Sequence, residues 1–204
     1  MNMNYYEKIA DNYDSRWKSY TDNTLQKLIQ YLPASLENKT ILDFGCGTGE
    51  LIKRLLILKP DLAHITGYDP VEEMLRQAHM KMSQLPEHTQ EKVKLQSHSN
   101  FENKFDLIVS SSVFHYLPRP RARLHHFKSL LREGGILVLL DYTKSSLLVR
   151  YFEWFVKYID SMHQQAYTPQ QIKIMVESAD FKLEDSEEFR IRPLWNGFVI
   201  RVSV

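Results

Sequence analysis

Asp43, Gly45, Gly47, Gly49 and Asp69 are the residues whose types and spacing most clearly suggest chemistry. The first four lie in the run Ile41-Leu-Asp-Phe-Gly-Cys-Gly-Thr-Gly49, and the second acid follows at the end of the next apolar segment. Alternate glycines make a turn that no Cβ atom obstructs, so its backbone can come close to a ligand. A helix expected from about Glu50 points its unbonded N–H groups at the same place. Asp69, at the end of an expected strand over 64–68, can accept hydrogen bonds from both hydroxyls of a ribose. The dinucleotide fingerprint Gly-x-Gly-x-x-Gly, which holds a pyrophosphate, is not matched. Here the glycines are spaced Gly-x-Gly-x-Gly, with an acid two residues ahead. That acid would repel a diphosphate and attract an ammonium group, so a ligand with a ribose and an amino-acid end fits.

Further along, Ser110-Ser111-Ser112-Val113-Phe114-His115 follows an apolar segment, and Asp141-Tyr142 follows another. Ser110 and Ser111 are small enough to let a flat ligand lie against the chain. His115 is a candidate general base, because an unperturbed imidazole titrates near pH 6.5. Asp141 is the rival for that role. Cys46 is not expected to act as a nucleophile, since no histidine pairs with it in the sequence and its neighbours are glycines. The basic run Arg119, Arg121, Arg123, His125, His126, Lys128 and Arg132 reads as the solvated face of a helix rather than a nucleic-acid surface. No His-Glu-x-x-His or paired-cysteine spacing is present, so no metal site is expected.

These groups need a sheet to bring them together. Strand-like segments at 41–44, 64–68, 93–96, 105–110 and 136–140 alternate with amphipathic helical ones. That alternation predicts an α/β fold, a doubly wound parallel sheet with helices on both faces. Leu25, Leu28, Ile29 and Leu32 mark a helix before the first strand, and Leu124, Phe127, Leu130 and Leu131 mark one stopped by Gly134-Gly135. Thr168-Pro169 has the form of an N-cap followed by the first residue of a helix over 169–179. Segments 189–192 and 198–202 read as a terminal hairpin. The stretch 145–162 is apolar on nearly every side, so a helix there must be covered by something. It could be a core helix, a dimer face or a lid; its place after the fifth strand, where such sheets hold ligands, favours a helical lid insertion over 143–165.

The glycine run resembles the first motif of class I S-adenosylmethionine-dependent methyltransferases, roughly Asp-x-Gly-x-Gly-x-Gly. The resemblance continues at Gly67-Tyr68-Asp69-Pro70 with Met74, at Phe105-Asp-Leu-Ile108 and at Leu131-Arg-Glu-Gly-Gly135, in the family's order. It implies a Rossmann-like sheet of seven strands whose last strand is antiparallel, supplied by the terminal hairpin. It also implies S-adenosylmethionine as cofactor, held by Asp43, Gly45, Cys46, Gly47, Gly49, Asp69, Pro70, Met74, Ser110 and Ser111. Tyr6 to Asp14 resembles the segment that closes over the cofactor in small-molecule members, which adds Tyr13 and makes 1–35 a pair of cap helices. Many relatives carry Gly-Asp-Ala where this chain has Ser97-His98-Ser99, so His98, Ser99 or the backbone must hold the adenine. The reaction implied is methyl transfer to a small-molecule acceptor by in-line displacement.

The bulk numbers agree with that reading. The 204 residues suit a single domain over 1–204, with 43% hydrophobic and 25% charged residues. A formal net charge of +1 predicts no strong field for nucleic acid or an anionic membrane. The single cysteine, the absence of an apolar leader near the start and the charges within 145–162 predict a cytoplasmic, membrane-free protein. Two other readings stay open. One is a nucleic-acid or protein methyltransferase, although Asn-Pro-Pro-Tyr is absent after the fourth strand. The other is a module that binds the cofactor without methylating anything.

Overall fold

The computed structural model describes residues 4–144, 165–192 and 195–204. Seven strands form one sheet: β1 Thr40–Phe44, β2 His64–Tyr68, β3 Val93–Gln96, β4 Phe105–Ser111, β5 Leu131–Tyr142, β6 Lys182–Arg192 and β7 Trp195–Ser203. Their spatial order is β3-β2-β1-β4-β5-β7-β6. Strands β1 to β5 pair in parallel, and β7 runs antiparallel to both of its neighbours. The sheet is thus Rossmann-like, with the antiparallel strand coming from the terminal hairpin and lying between β5 and β6.

The alternation of side chains along each strand separates two cores. Helices α2 Tyr13–Gln30, α3 Glu50–Leu58 and α4 Glu72–Met82 cover one face. They bury Leu28, Ile52, Leu55 and Leu75 against Ile41, Ile65, Val109 and Val138. Helices α6 Pro120–Leu130 and α7 Pro169–Ser178 cover the other. There Leu124, Phe127, Ile172 and Val176 meet Leu42, Ile108, Leu139 and Ile200. Two short α-helices are α1 Asn4–Ile9 and α5 Glu87–Gln90, and single 3-10 turns span Ala10–Asn12 and Phe114–Tyr116. The cap of α7 forms as expected. Thr168 Oγ1 accepts from the Gln171 N–H at 3.3 Å, and Gln171 Oε1 accepts from the Thr168 N–H at 3.0 Å.

Several boundaries differ from the sequence expectation, the largest being β6, which starts at Lys182 rather than at 189. Strand β5 begins at Leu131, where a strand over 136–140 was expected, and α6 therefore ends at Leu130. Leu131 pairs with Phe105 before a register shift, after which Leu107 pairs with Ile136. Arg132 to Gly135 therefore stand opposite Asp106 alone, and Gly134 among them has a φ of +68°, which suits a residue without a Cβ. The register shift also sends Phe105 to one core and Leu107 to the other. In the hairpin, Trp195 already pairs with Arg192, so β7 starts three residues before the expected Phe198. Most of the expected lid over 143–165 lies outside the described residues. Of its ends, Thr143 bridges Tyr167, and the Gln165 N–H donates to the His115 carbonyl at 3.1 Å. Among the described residues no helix is long and apolar enough to cross a membrane.

Candidate active site

The sequence order of the strands reverses between β1 and β4, which opens a crevice beyond their carboxyl ends. The glycine turn occupies it. Gly45, Gly47 and Gly49 have φ of +82°, +52° and +76°, in the left-handed region. The Gly45 and Cys46 N–H groups donate to the Tyr68 carbonyl at 2.7 and 2.9 Å, pinning the turn to the end of β2. A Cβ on Gly45 would lie 2.2 Å from Val113 Cγ2, whereas one on Gly47 would meet nothing within 4 Å. The turn is therefore packed from behind at Gly45 and open in front at Gly47.

Two carboxylates face this turn. Asp69 is 8% exposed; its Oδ2 accepts from the Gly47 N–H and its Oδ1 from the Val71 N–H, both at 2.9 Å. Each oxygen keeps a second lone pair for a ligand hydroxyl. Burial pushes its pKa up to about 6 against the pull of the two N–H groups. Asp43 is 2% exposed, and its Oδ2 has no hydrogen-bond partner. Burial, and then the charge of Asp69, push its pKa up to about 8. A buried, unpartnered acceptor beside an open glycine turn fits a positively charged group. Both features match a ligand with a ribose and an ammonium group, and so the expected cofactor.

The amino-terminal helices roof the crevice. Ala10, Val71 and Met74 form a small apolar cluster against Tyr6 and Tyr13, with Pro70 half-buried beside it. Burial, followed by Asp69 and Asp14, pushes the Tyr13 phenol up to about 12, so it stays protonated near neutrality. Lys81 ties the roof down: its ammonium reaches Asp14 at 2.7 Å on α2 and Glu50 at 2.9 Å on α3. Thr48 Oγ1 donates to Asp14 at 2.5 Å.

The other expected cofactor residues fall in three groups. Cys46 turns its thiol into the core between Gly67 and the helices, and burial pushes that thiol well up, so it is inert there. His98 and Ser99 are exposed in the loop after β3. Gln96 braces that loop by donating to the His98 and Asn100 carbonyls at 2.7 and 3.2 Å. Ser110 is buried and donates to the Phe44 carbonyl at 3.0 Å, so its hydroxyl links β4 to β1, while Ser111 is half-buried at the end of β4.

The two rival bases meet in one pair. His115 Nδ1 lies 2.8 and 2.9 Å from the two Asp141 oxygens, and the His115 backbone N–H donates to Oδ2 at 3.0 Å. Both side chains are buried. The pairing of Ser111 with Leu140 brings the end of β4 beside the end of β5, which sets this geometry. Sequence reasoning missed what surrounds the pair. Ser112, with φ of +59°, shares a 2.8 Å hydrogen bond with the Tyr20 hydroxyl. The imidazole packs against the rings of Tyr116 and Tyr142, and from Tyr142 a chain of ring contacts runs on to Trp195, Tyr20 and Trp17. Tyr116 also hydrogen-bonds the Tyr6 hydroxyl. Only the abundance of aromatics in segment 5–20 hinted at this. A separate groove of about 390 Å³ lies toward the amino ends of β1 to β4, lined by Thr40, His64, Lys94, Phe101, Lys104 and Arg132. It holds none of the glycine turn and sits at the edge of the sheet away from the crevice.

Comparison with known proteins bears on this geometry. A family profile described as a methyltransferase domain matches residues 17–186. The malonyl-[acyl-carrier protein] O-methyltransferase of Paenibacillus sp. (strain JDR-2) is 30% identical over 144 residues, covering 69% of this chain and 50% of that protein. A tRNA U34 carboxymethyltransferase of Nautilia profundicola is 31% identical over 135 residues, covering 65% and 43%. The chain thus spans about half the length of these curated relatives. In fold it is similar to the magnesium protoporphyrin IX methyltransferase of Synechocystis PCC 6803, solved with bound S-adenosylhomocysteine. The TM-score is 0.73 at 16% identity, covering 91% of this chain and 85% of that one.

Proposed function

The chain belongs to the methyltransferase-domain family, class I and S-adenosylmethionine-dependent, and from that premise we propose that it methylates a small-molecule acceptor. The observation that carries the cofactor half of this reading is the unpartnered Asp43 Oδ2 beside the glycine turn. When bound, the cofactor supplies a methyl group already activated on a sulfonium sulfur. Asp43 would hold its ammonium group, the remaining lone pairs of Asp69 its ribose hydroxyls, and the backbone at Gly45 to Gly49 its amino-acid end. Met74 and Pro70 would border the base, with His98 or Ser99 at its edge. Tyr13 and the roof helices exclude water. The chain's main task is alignment, which supplies on the order of 7–11 kcal/mol in well-oriented reactions. The wall of rings beside the crevice supports an acceptor of modest size.

Calorimetry tests the reading. S-adenosylhomocysteine should bind and NAD should not compete; tighter binding of NAD would sink it. A screen of cofactor consumption over a metabolite collection then finds the acceptor. A second reading has its own support, since the curated relatives are named for acceptors on an acyl-carrier protein and a tRNA. Turnover with a carrier-linked acceptor, and none with its free counterpart, would favour it.

Asp69→Ala should weaken S-adenosylhomocysteine binding at least about tenfold, because hydrogen bonds to charged groups are worth roughly 1.5–3 kcal/mol each. The same change frees the Gly47 and Val71 N–H groups, so a lower melting temperature should accompany it. Unchanged affinity would mean that the ribose is held elsewhere.

A further inference from the structure

We infer that Arg119, Arg123 and His126, with the hydroxyl of Tyr68, form a site for a phosphate ester carried by the acceptor. This rests on the methyltransferase reading above and names a feature of its substrate class.

These side chains gather where the start of α6 meets the ends of β1 and β2. Arg123 is half-buried, with its guanidinium 5.0 Å from the centre of the Phe44 ring. That ring centre lies 4.7 Å from the one of Tyr68. Arg119 stands one helical turn before Arg123, whose N–H donates to the Arg119 carbonyl at 3.0 Å. Burial, with the charge of Arg119, holds the Arg123 guanidinium below its usual range against the pull of Tyr68. Burial and the charge of Arg123 do the same to His126.

No acid of the described residues relieves this crowding. No carboxylate pairs with Arg119, Arg121 or Arg123 among them, and the first turn of α6 holds none. The later cations of the same run are paired, Lys128 with Asp180 at 3.7 Å and Arg132 with Asp106 at 2.6 Å. The run expected to be a solvated face thus has a paired end and an unpaired beginning. That beginning is also the positive end of the helix dipole, where cations are disfavoured and an anion is stabilised.

The donor set suits a phosphate. A guanidinium fork fits a carboxylate or a phosphate equally well. Here two guanidiniums and an imidazole come from a helix, and a phenol comes from the strand end beside it. The tetrahedral oxygens of a phosphate can meet donors on several sides, whereas a carboxylate accepts mainly in one plane. Burial pushes the Tyr68 phenol up, so it keeps its proton and can donate. S-adenosylmethionine carries no phosphate, so the ester belongs to the other substrate. Phe44 precedes Gly45 and Tyr68 precedes Asp69. The cluster therefore borders the residues that lead into the cofactor turn, on the rim where an acceptor would enter.

Calorimetry on protein saturated with S-adenosylhomocysteine tests the inference, with phenyl phosphate as a monoester and methyl phenyl phosphate as a diester. At least one should bind, and Arg123→Gln should weaken it at least about tenfold, as for loss of a hydrogen-bonded charge. Arg121→Gln removes the same charge from another side of the helix and should change affinity less than about twofold. Where Arg123→Gln does not fold, wild-type protein decides by NMR. The bound anion should raise the pKa of His126 and leave that of the exposed His125 unmoved. The tighter ester tells whether the acceptor is a free phosphomonoester or is tethered through a diester. Binding of neither ester, equally tight binding of benzoate, or equal losses from the two arginine variants would overturn the inference. Failure of S-adenosylhomocysteine to bind, measured before any ester is added, would instead refute the methyltransferase reading, and the esters would still report on the site.

Discussion

Asp43→Asn should make the ligand-free protein more stable at pH 8 and weaken its binding of S-adenosylhomocysteine by at least about tenfold. The carboxyl group is 2% exposed and has an oxygen with no partner. Its pKa in the folded chain is pushed from an ordinary 3.8 up to about 8. The folded value lies above the unfolded one, so the folded chain holds this proton more tightly. The stability that goes with it is fully present below about pH 4 and is lost as pH rises through about 8. Asparagine does not titrate and removes that loss, a gain of about 1–3 kcal/mol at the upper end, as for relief of an unsatisfied buried group. The cofactor's ammonium group stabilises the ionised form, so wild-type affinity should climb with pH toward 8 and that of the variant should stay nearly flat. Thermal unfolding at pH 5 and pH 8, with calorimetry at both, reads the two effects. A variant that binds as tightly as wild type would show that Asp43 does not face the ligand.

Gly45→Ala should lower stability by about 3 kcal/mol or more, and Gly47→Ala by only about 1 kcal/mol. Both residues have left-handed backbones, so both substitutions carry strain. The alanine methyl at 45 would also lie 2.2 and 2.9 Å from the two Val113 methyls, at the base of the short helical turn that presents His115. For a chain of this size the larger loss corresponds to a drop in melting temperature on the order of 10 °C. At 47 the methyl meets no protein atom within 4 Å, so its cost falls on the ligand that comes there. The two variants should therefore separate: one melts early, and the other melts near wild type but binds S-adenosylhomocysteine poorly. Equal melting temperatures would contradict the packing at Gly45.

Several features set by contiguous residues were legible in the sequence. The glycine turn, strand β2 ending before Asp69, and the Thr168 cap are all set by neighbours a few positions apart. The pairing of His115 with Asp141 was not, although both were picked out, because it depends on the register between β4 and β5. Tyr20 and Ser112 are 92 positions apart, and nothing local distinguishes that tyrosine from Tyr13 or Tyr31. The early start of β5 was hidden because Glu133-Gly134-Gly135 reads as a helix stop, and it is also a bulge within a strand. The unpartnered state of Asp43 depends on what surrounds it in space, although its sign and place beside the turn already suggested a cation.

Strand β7 enters the sheet from the opposite direction to its neighbours, so its first residues, Trp195 and Asn196, stand at the same edge as the last residues of β5. Trp195 joins the aromatic wall, and the Asn196 carbonyl accepts from the Thr143 N–H at 3.0 Å. The chain therefore divides its inheritance unevenly. The turn proposed to recognise the nucleoside belongs to the first seventy or so residues, with its glycines in the left-handed region. Part of the surface proposed to meet the acceptor comes from the first residues of a strand more than a hundred positions later, attached by strand pairing and by the ring contacts of Trp195 with Tyr20 and Tyr142. Exchange of that segment between relatives would redirect which molecule is modified and leave the donor machinery untouched, a modular seam that both natural divergence and deliberate redesign can use.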